Sequence, residues 1–433
     1  MEVDAVVRPW CTAHWTIAMK LVHAADIHLD SPMHGLAAYD TAPVGELRLA
    51  TRAALRGLVD LCLAERADAL LIGGDLYDGD WHDYATGAQF VREAQRLAEA
   101  GIPIVLVTGN HDAASRITKA LRLPANVHVL PVDEPGTVVF EELGLAVHGQ
   151  GYATAAVTED LSAGYPLPLS GMVNVGLLHT SADGRFDHAP YAPCRVERLA
   201  AHGYDFWGLG HVHERVLLWE DPPILFPGCL QGRNVRETGP KGATIVTFGA
   251  DGRAVLEERV LDVVRWAVVS VDASGLDDVD AVLAAVGDAL AIAVEEADGR
   301  LLAARVRVAG ASPAHAALVR DARRFEWDVR SAAAEVAGER AWVEKVVVRT
   351  VPERVSAVDL ESDDVFAELT RAVRDAAGDD AALSSLASEL APLAAKLPVG
   401  LGWDPLAPET VRGLLADVER ELPALLLDGG GGS

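Results

Sequence analysis

From residue 20 to about 250, short apolar runs alternate with longer amphipathic stretches, the pattern of strands interleaved with helices. Leu21 to Ala25, Ala69 to Ile72, Ile104 to Val107, Val175 to Leu178 and Phe206 to Leu209 are each apolar, of strand length, and followed at once by polar or glycine-rich residues. Between the first three, Leu47, Leu55, Leu58, Leu61 and Cys62, then Phe90, Val91, Ala94 and Leu97, fall near a 3.6-residue period and predict two helices. Val216 to Trp219, Ile224 to Phe226 and Ala243 to Phe248 predict further strands, so the fold class is α/β. Past residue 262 an alanine-rich series predicts strands at Arg265 to Val271, Leu301 to Val308 and Trp342 to Arg349, with helices at about 276–296 and 313–337. From 357 onward two amphipathic helices are expected, one carrying Leu383, Leu386, Leu390 and Leu393 and the other Val411, Leu415, Val418 and Leu422. Their connecting loop holds Pro398, Gly400, Trp403, Pro405 and Pro408.

Five ligand-type loops follow five of these strands. Asp26-Ile27-His28 comes first, where an extended backbone of period two would place both side chains on one face. Gly73-Gly74-Asp75 follows, its glycines letting the backbone crowd a site beside one carboxylate. Gly109-Asn110-His111-Asp112, His179 and Gly210-His211-Val212-His213 complete the series. In parallel α/β sheets such carboxyl ends converge on one crevice. Asp26, His28, Asp75, Asn110, His179, His211 and His213 then form a mixed oxygen and imidazole set without thiolate, which suits two hard-to-borderline divalent ions, Mn²⁺ first. His111, not needed as a ligand, becomes the expected general acid for a leaving oxygen, with Asp112 expected to fix its tautomer. A lone D-x-H or GGD is a common turn; five such loops in order, each closing a strand, are not a chance set.

The order D-x-H, GGD, GNHD, H, GHVH across residues 20–250 resembles the calcineurin-like metallophosphoesterases. His28-Leu29-Asp30-Ser31-Pro32, the run from Tyr204 to His213, and Gln231-Gly232-Arg233-Asn234 continuing through Glu237-Thr238-Gly239-Pro240-Lys241-Gly242 look like the SbcD-type DNA repair nucleases, particularly their YhaO-like branch. The resemblance implies a metallophosphoesterase sandwich with a smaller α/β capping domain and a C-terminal helical tail. It also implies a manganese-dependent nuclease working with an SbcC-like coiled-coil ATPase, with homodimerisation as a further family expectation. Carried onto this chain, Asp26, His28, Asp75 and His213 would hold one ion and Asp75, Asn110, His179 and His211 the other. Some relatives place a histidine just after GGD, where this chain has Leu76-Tyr77-Asp78; His82 lies nearby. The expected organisation is an extension at 1–18, with Met19 a candidate natural start, a catalytic domain at 19–260, a cap at 261–355, a partner-docking helical region at 356–428 and a linker-like 429–433.

Composition sharpens this picture. Half of the 433 residues are hydrophobic, and the formal charge is −27, which repels nucleic acid at long range. Two local stretches run the other way: Arg116, Lys119 and Arg122, and Arg233, Arg236 and Lys241. Of these, Arg116, Lys119, Arg233 and Arg236 are the expected DNA contacts. Residues 351–433 hold 6 Lys and Arg against 16 Asp and Glu, so that tail is expected to dock on protein. No apolar run is long enough for a membrane span, no Walker motif is present, and four scattered cysteines fit a reducing cytoplasm. A small-phosphoester phosphatase, or a mainly structural subunit of an SMC-like complex, are the competing expectations.

Overall fold

The computed structural model describes residues 18–31, 43–78, 84–114, 122–184, 191–352, 365–394, 404 and 406–427. The chain divides into two compact units, Met1–Ala267 with Ala297–Ala303, and Val268–Glu296 with Ala304–Ser433.

The first unit is built on two six-stranded sheets. One carries β1 (Met19–Ala24), β2 (Ala69–Ile72), β3 (Ile104–Leu106) and β4 (Val127–Val129) in parallel, extended on the β1 side by antiparallel β11 (Gly242–Phe248) and β12 (Ala254–Val260). The other runs in the order β5 (Gly136–Phe140), β6 (Leu145–Gln150), β7 (Val173–His179), β8 (Phe206–Gly210), β10 (Pro223–Pro227) and β9 (Arg215–Glu220). Alternation along each strand sorts the core into layers. Leu21, Leu71 and Val105 meet Val147, Val175, Leu177 and Phe206 between the sheets. Val22, Ala24, Leu70, Ile72 and Leu106 turn the other way, onto Leu55, Leu58 and Cys62 of α1 (Val44–Glu65) and Phe90, Ala94 and Leu97 of α2 (Tyr84–Glu99). On the far face of the second sheet, Leu178, Trp207 and Phe226 meet Val196 and Leu199 of α4 (Val196–Ala201). The short α3 (Asn110–Ala114) follows β3 directly and carries the GNHD residues.

The ligand loops come from two sheets rather than one: three end strands of one sheet and two end strands of the other. Strands β4, β5, β6 and β12 were not among those expected.

The second unit carries a sheet ordered β13 (Val264–Asp272), β14 (Leu301–Ser312), β15 (Ala341–Pro352), with α5 (Val279–Glu296), α6 (His315–Arg320) and α7 (Ala322–Ala337). The helix expected over 313–337 is two, parted at Asp321, whose side chain caps α7 by accepting from the Arg324 backbone N–H. The first expected terminal helix is also two, α8 (Val365–Gly378) and α9 (Asp380–Ala394), broken where Asp379 accepts from the Ala381 backbone N–H. Helix α10 (Pro408–Leu427) lies on α8 and α9 and touches α6 and β15. Among the described residues no helix is long and apolar enough to cross a membrane.

Candidate metal centre

All seven expected ligands sit at or just past the carboxyl ends of β1, β2, β3, β7 and β8, with His179 the last residue of β7 and Asn110 the first of α3. Asp26 is buried, and its Oδ2 accepts the His211 backbone N–H at 2.9 Å, tying the first sheet's ligand loop to the second's. The backbone N–H groups of Asp26 and His28 bond to the carbonyls of Gly74 and Asp75. Asp75 Oδ1 accepts the His111 backbone N–H at 2.9 Å, while its Oδ2 stands 3.8 Å from His28 Nε2 and 3.5 Å from His179 Nε2. His213 Nε2 is 3.6 Å from Asp26 Oδ1. The His211 ring has its centroid 5.3 Å from that of His179. Two glycines make this crowding possible: a Cβ on Gly74 would strike the His179 ring, and one on Gly109 would strike the Asp75 carboxylate.

The hydrogen bonds at the far side of each imidazole decide what its near side offers. His179 directs Nδ1 to the Gly73 carbonyl at 3.0 Å, so Nδ1 carries the proton and Nε2 presents its lone pair. That lone pair faces another acceptor, Asn110 Oδ1, at 3.0 Å. His213 directs Nδ1 to Glu237 Oε1 at 2.8 Å, and its Nε2 faces His28 Nε2 at 3.3 Å. His28 Nδ1 in turn lies 3.4 Å from Asp78 Oδ1. Two imidazole nitrogens turned to each other and a third turned to an amide oxygen, beside two buried carboxylates, form a nitrogen and oxygen donor set that fits divalent metal. Asp26, His28 and His213, and likewise Asp26, Asp75 and His179, bring one ligand atom each within 4.8 Å of the others.

Electrostatics agree. Burial, then the Asp75 charge, drives the Asp26 carboxyl well above its ordinary range, and burial pushes Asp75 up to about 6 against the pull of His111. Burial holds His28 well below its ordinary value and His179 down at about 3, leaving both imidazoles neutral as ligands must be. A bound cation reverses the penalty on both carboxylates.

His111 stands beside this set, half-exposed, with Nδ1 2.9 Å from Asp78 Oδ1. That contact, more than the opposing burial, raises its affinity for a proton. The orienting carboxylate is therefore Asp78, and the role expected of Asp112 is corrected. Asp112 is buried, and its carboxylate accepts the backbone N–H groups of Gly109, Leu76 and Tyr77 at 2.9 to 3.2 Å. It clamps the GNHD loop to the segment after GGD. Burial, then the Asp75 charge, raises its carboxyl to about 7.

Comparison with known proteins decides the family. Residues 19–215 match the calcineurin-like phosphoesterase model, and residues 266–351 match the middle domain of metallophosphoesterase YhaO. The chain is 30% identical over 274 residues to the uncharacterized metallophosphoesterase YhaO of Bacillus subtilis (strain 168), covering 62% of this chain and 67% of that protein. The chain belongs to the calcineurin-like metallophosphoesterases. It is 23% identical over 277 residues to the DNA double-strand break repair protein Mre11 of Sulfurisphaera tokodaii, covering 59% of this chain and 66% of that one. Over 121 residues it is 35% identical to the SbcD polypeptide of the nuclease SbcCD of Rhodobacter capsulatus, covering 26% of each chain. The matched segments thus span about two thirds of the first two relatives and a quarter of the third.

In this metallophosphoesterase the expected DNA contacts fare unequally. Arg236 is exposed, whereas Arg233 is largely buried and turned to Glu237 and Asp78. Arg122 is exposed. Arg116, Lys119, His34, His82 and Trp403 lie outside the described residues, as do 1–17 and 428–433. Sequence reasoning missed Asp78 and Glu237 as partners of site imidazoles. Asp78 could have been found as the carboxylate three residues beyond a ligand on the same loop. Glu237 had no local signal, because nothing in residues 231–241 says that this loop returns to His213.

Proposed function

We propose that this metallophosphoesterase is a two-metal phosphodiesterase, a DNA repair exonuclease subunit that acts on DNA ends with an SbcC-like ATPase. The observation that carries the reading is the two clusters of imidazole nitrogens, His28 with His213 and His179 with Asn110 Oδ1, with Asp75 Oδ2 3.8 Å from His28 Nε2 and 3.5 Å from His179 Nε2. Asp26, His28, Asp75 and His213 would hold one ion, and Asp75, Asn110, His179 and His211 the other, with Mn²⁺ the ion such donors favour. When bound, the ions supply charge neutralisation at phosphorus and an acidified water for in-line attack. The chain's own contribution to bond breaking is His111. Asp78 accepts its Nδ1–H and favours the doubly protonated ring, which leaves the Nε2 proton for the departing oxygen. The Mre11 and SbcCD relatives support DNA as substrate, and a partner ATPase docked through the terminal helices is part of the same proposal. A homodimer and a cytoplasmic setting complete it.

The charge of −27 favours a second reading, a small phosphodiester as substrate. The full chain with Mn²⁺, end-labelled duplex DNA and bis(p-nitrophenyl) phosphate separates the two. Loss of DNA from its ends, abolished in Asp75→Ala, is expected; turnover of the small ester alone refutes the nuclease assignment.

A further inference from the structure

Arg233 lies between two carboxylates that each hold site imidazoles. Its Nη2 is 3.0 Å from Glu237 Oε1 and its Nη1 3.5 Å from Asp78 Oδ2, while Glu237 Oε2 accepts the Arg233 backbone N–H at 2.6 Å. Beyond Glu237 lies His213 Nδ1 at 2.8 Å. Beyond Asp78 lie His111 Nδ1 at 2.9 Å and His28 Nδ1 at 3.4 Å. Ser31 Oγ donates to Asp78 Oδ2 at 2.5 Å, which fixes that carboxylate from its other side. One guanidinium therefore connects both edges of the centre. We propose that Arg233 is a positioning residue that sets the Glu237 and Asp78 carboxylates, and through them His213, His28 and His111, rather than a contact to a substrate phosphate. The inference rests on the metal-centre reading above and is independent of whether the substrate is DNA.

The fork matters as well as the charge. A guanidinium bonds two carboxylates in fixed directions, while a lysine ammonium at the same place is a point charge on a flexible stem. A phosphate contact would tolerate Arg233→Lys; a two-ended strut would not.

The test is calorimetric Mn²⁺ binding to the full chain, with Arg233→Lys, Arg233→Gln, Glu237→Gln and the double variant Arg233→Gln/Glu237→Gln, each checked for a wild-type thermal transition. Loss of a partner behind a metal-binding imidazole typically costs about 10- to 100-fold in affinity. Arg233→Lys and Arg233→Gln are expected to weaken the Mn²⁺ site by at least about tenfold, as Glu237→Gln does, with little further loss in the double variant. If Arg233→Gln fails to fold, Arg233→Lys and Glu237→Gln carry the comparison. Turnover of bis(p-nitrophenyl) phosphate by Arg233→Lys should fall at limiting Mn²⁺ and recover with excess, and binding of a duplex oligonucleotide should keep its salt dependence. Wild-type Mn²⁺ affinity in folded Arg233→Lys overturns the inference, as does a salt slope reduced by about 0.9, the signature of one lost phosphate contact. Failure of the wild type to cleave DNA would instead count against the nuclease assignment and leave this one standing.

Discussion

Asp78→Asn isolates what the carboxylate does for His111. The side chain keeps its shape, so no cavity opens, but it loses its charge and one of its two acceptor oxygens. Asp78 Oδ1 faces His111 Nδ1 at 2.9 Å and His28 Nδ1 at 3.4 Å, while Oδ2 takes the Ser31 hydroxyl and faces Arg233. An amide cannot serve both sides as acceptor. A hydrogen bond to a charged group contributes about 1.5–3 kcal/mol and a neutral one about 1, so the variant should lose about 1–2 kcal/mol of imidazolium stabilisation and orientation. That is about 5- to 30-fold in turnover, wherever the leaving oxygen needs a proton. A thymidine dinucleotide has such a leaving group, whereas the nitrophenolate of bis(p-nitrophenyl) phosphate departs unprotonated. Steady-state turnover at saturating Mn²⁺ should therefore fall on the dinucleotide and change less than about threefold on the nitrophenyl ester. Equal losses on both esters would refute the assignment and show that Asp78 acts through His28 or through folding.

His111→Ala should keep Mn²⁺ and lose about 10²- to 10⁴-fold in dinucleotide turnover, and a calorimetric trace without Mn²⁺ binding would contradict its placement beside the ligand set. Gly109→Ala should weaken Mn²⁺ binding by at least about tenfold, because the added methyl meets the Asp75 carboxylate; an unchanged titration would mean that Asp75 can step aside. His23, outside the centre, is buried with Nε2 on the Leu209 carbonyl, and burial holds its pKa down at about 4. The unfolded chain, with the ordinary histidine value of 6.5, binds more protons between the two, so stability is full above pH 6.5 and falls below it. The fall is about 2 kcal/mol at pH 5. In urea titrations at pH 7.5 and pH 5, the stability advantage of wild type over His23→Gln should narrow by that amount, and a constant gap would refute it.

Legibility followed burial. Strands β1, β2, β3, β7 and β8 are largely buried and read as apolar runs interrupted only by Lys20, His23 and Asn174 before the ligands, so the ligand positions stand out at their ends. Strands β4 and β5 are half-exposed edge or near-edge pieces of three and five residues, and β6 buries His148 and Gln150 among its apolar positions, so none breaks the background. His148 is tolerated there because Thr137 and Asn174 bond both of its ring nitrogens, a partnership invisible until β5, β6 and β7 are paired. The helix breaks at Asp321 and Asp379 were legible in principle, since each aspartate caps the helix that follows it. Glu237 behind His213 was not, and although Asp78 is signalled by its place three residues past Asp75, only the backbone path decides whether it or Asp112 reaches His111.

That path also explains why period-two reasoning brought Asp26 and His28 together by the wrong route. The two do not continue β1 as an extended strand: their φ angles are +50° and +45°, and Asp75 and His211 have +50° and +106°. Four of the nine non-glycine residues with positive φ among the described residues are thus expected metal ligands. Such a backbone costs about 1–3 kcal/mol per residue and persists only where surroundings hold it. Here the holders are visible: the Asp26 and His28 N–H groups are bonded to the GGD loop, and the His211 N–H is bonded to Asp26 itself. The loops after β1 and β8 are thus each bent off their strand and held by a bond to another ligand loop. The strain is placed where extended chains would carry their carboxylates and imidazoles past one another. A glycine would adopt these angles more easily but would bring no ligand, so the conflict between residue type and backbone marks the centre independently of any motif.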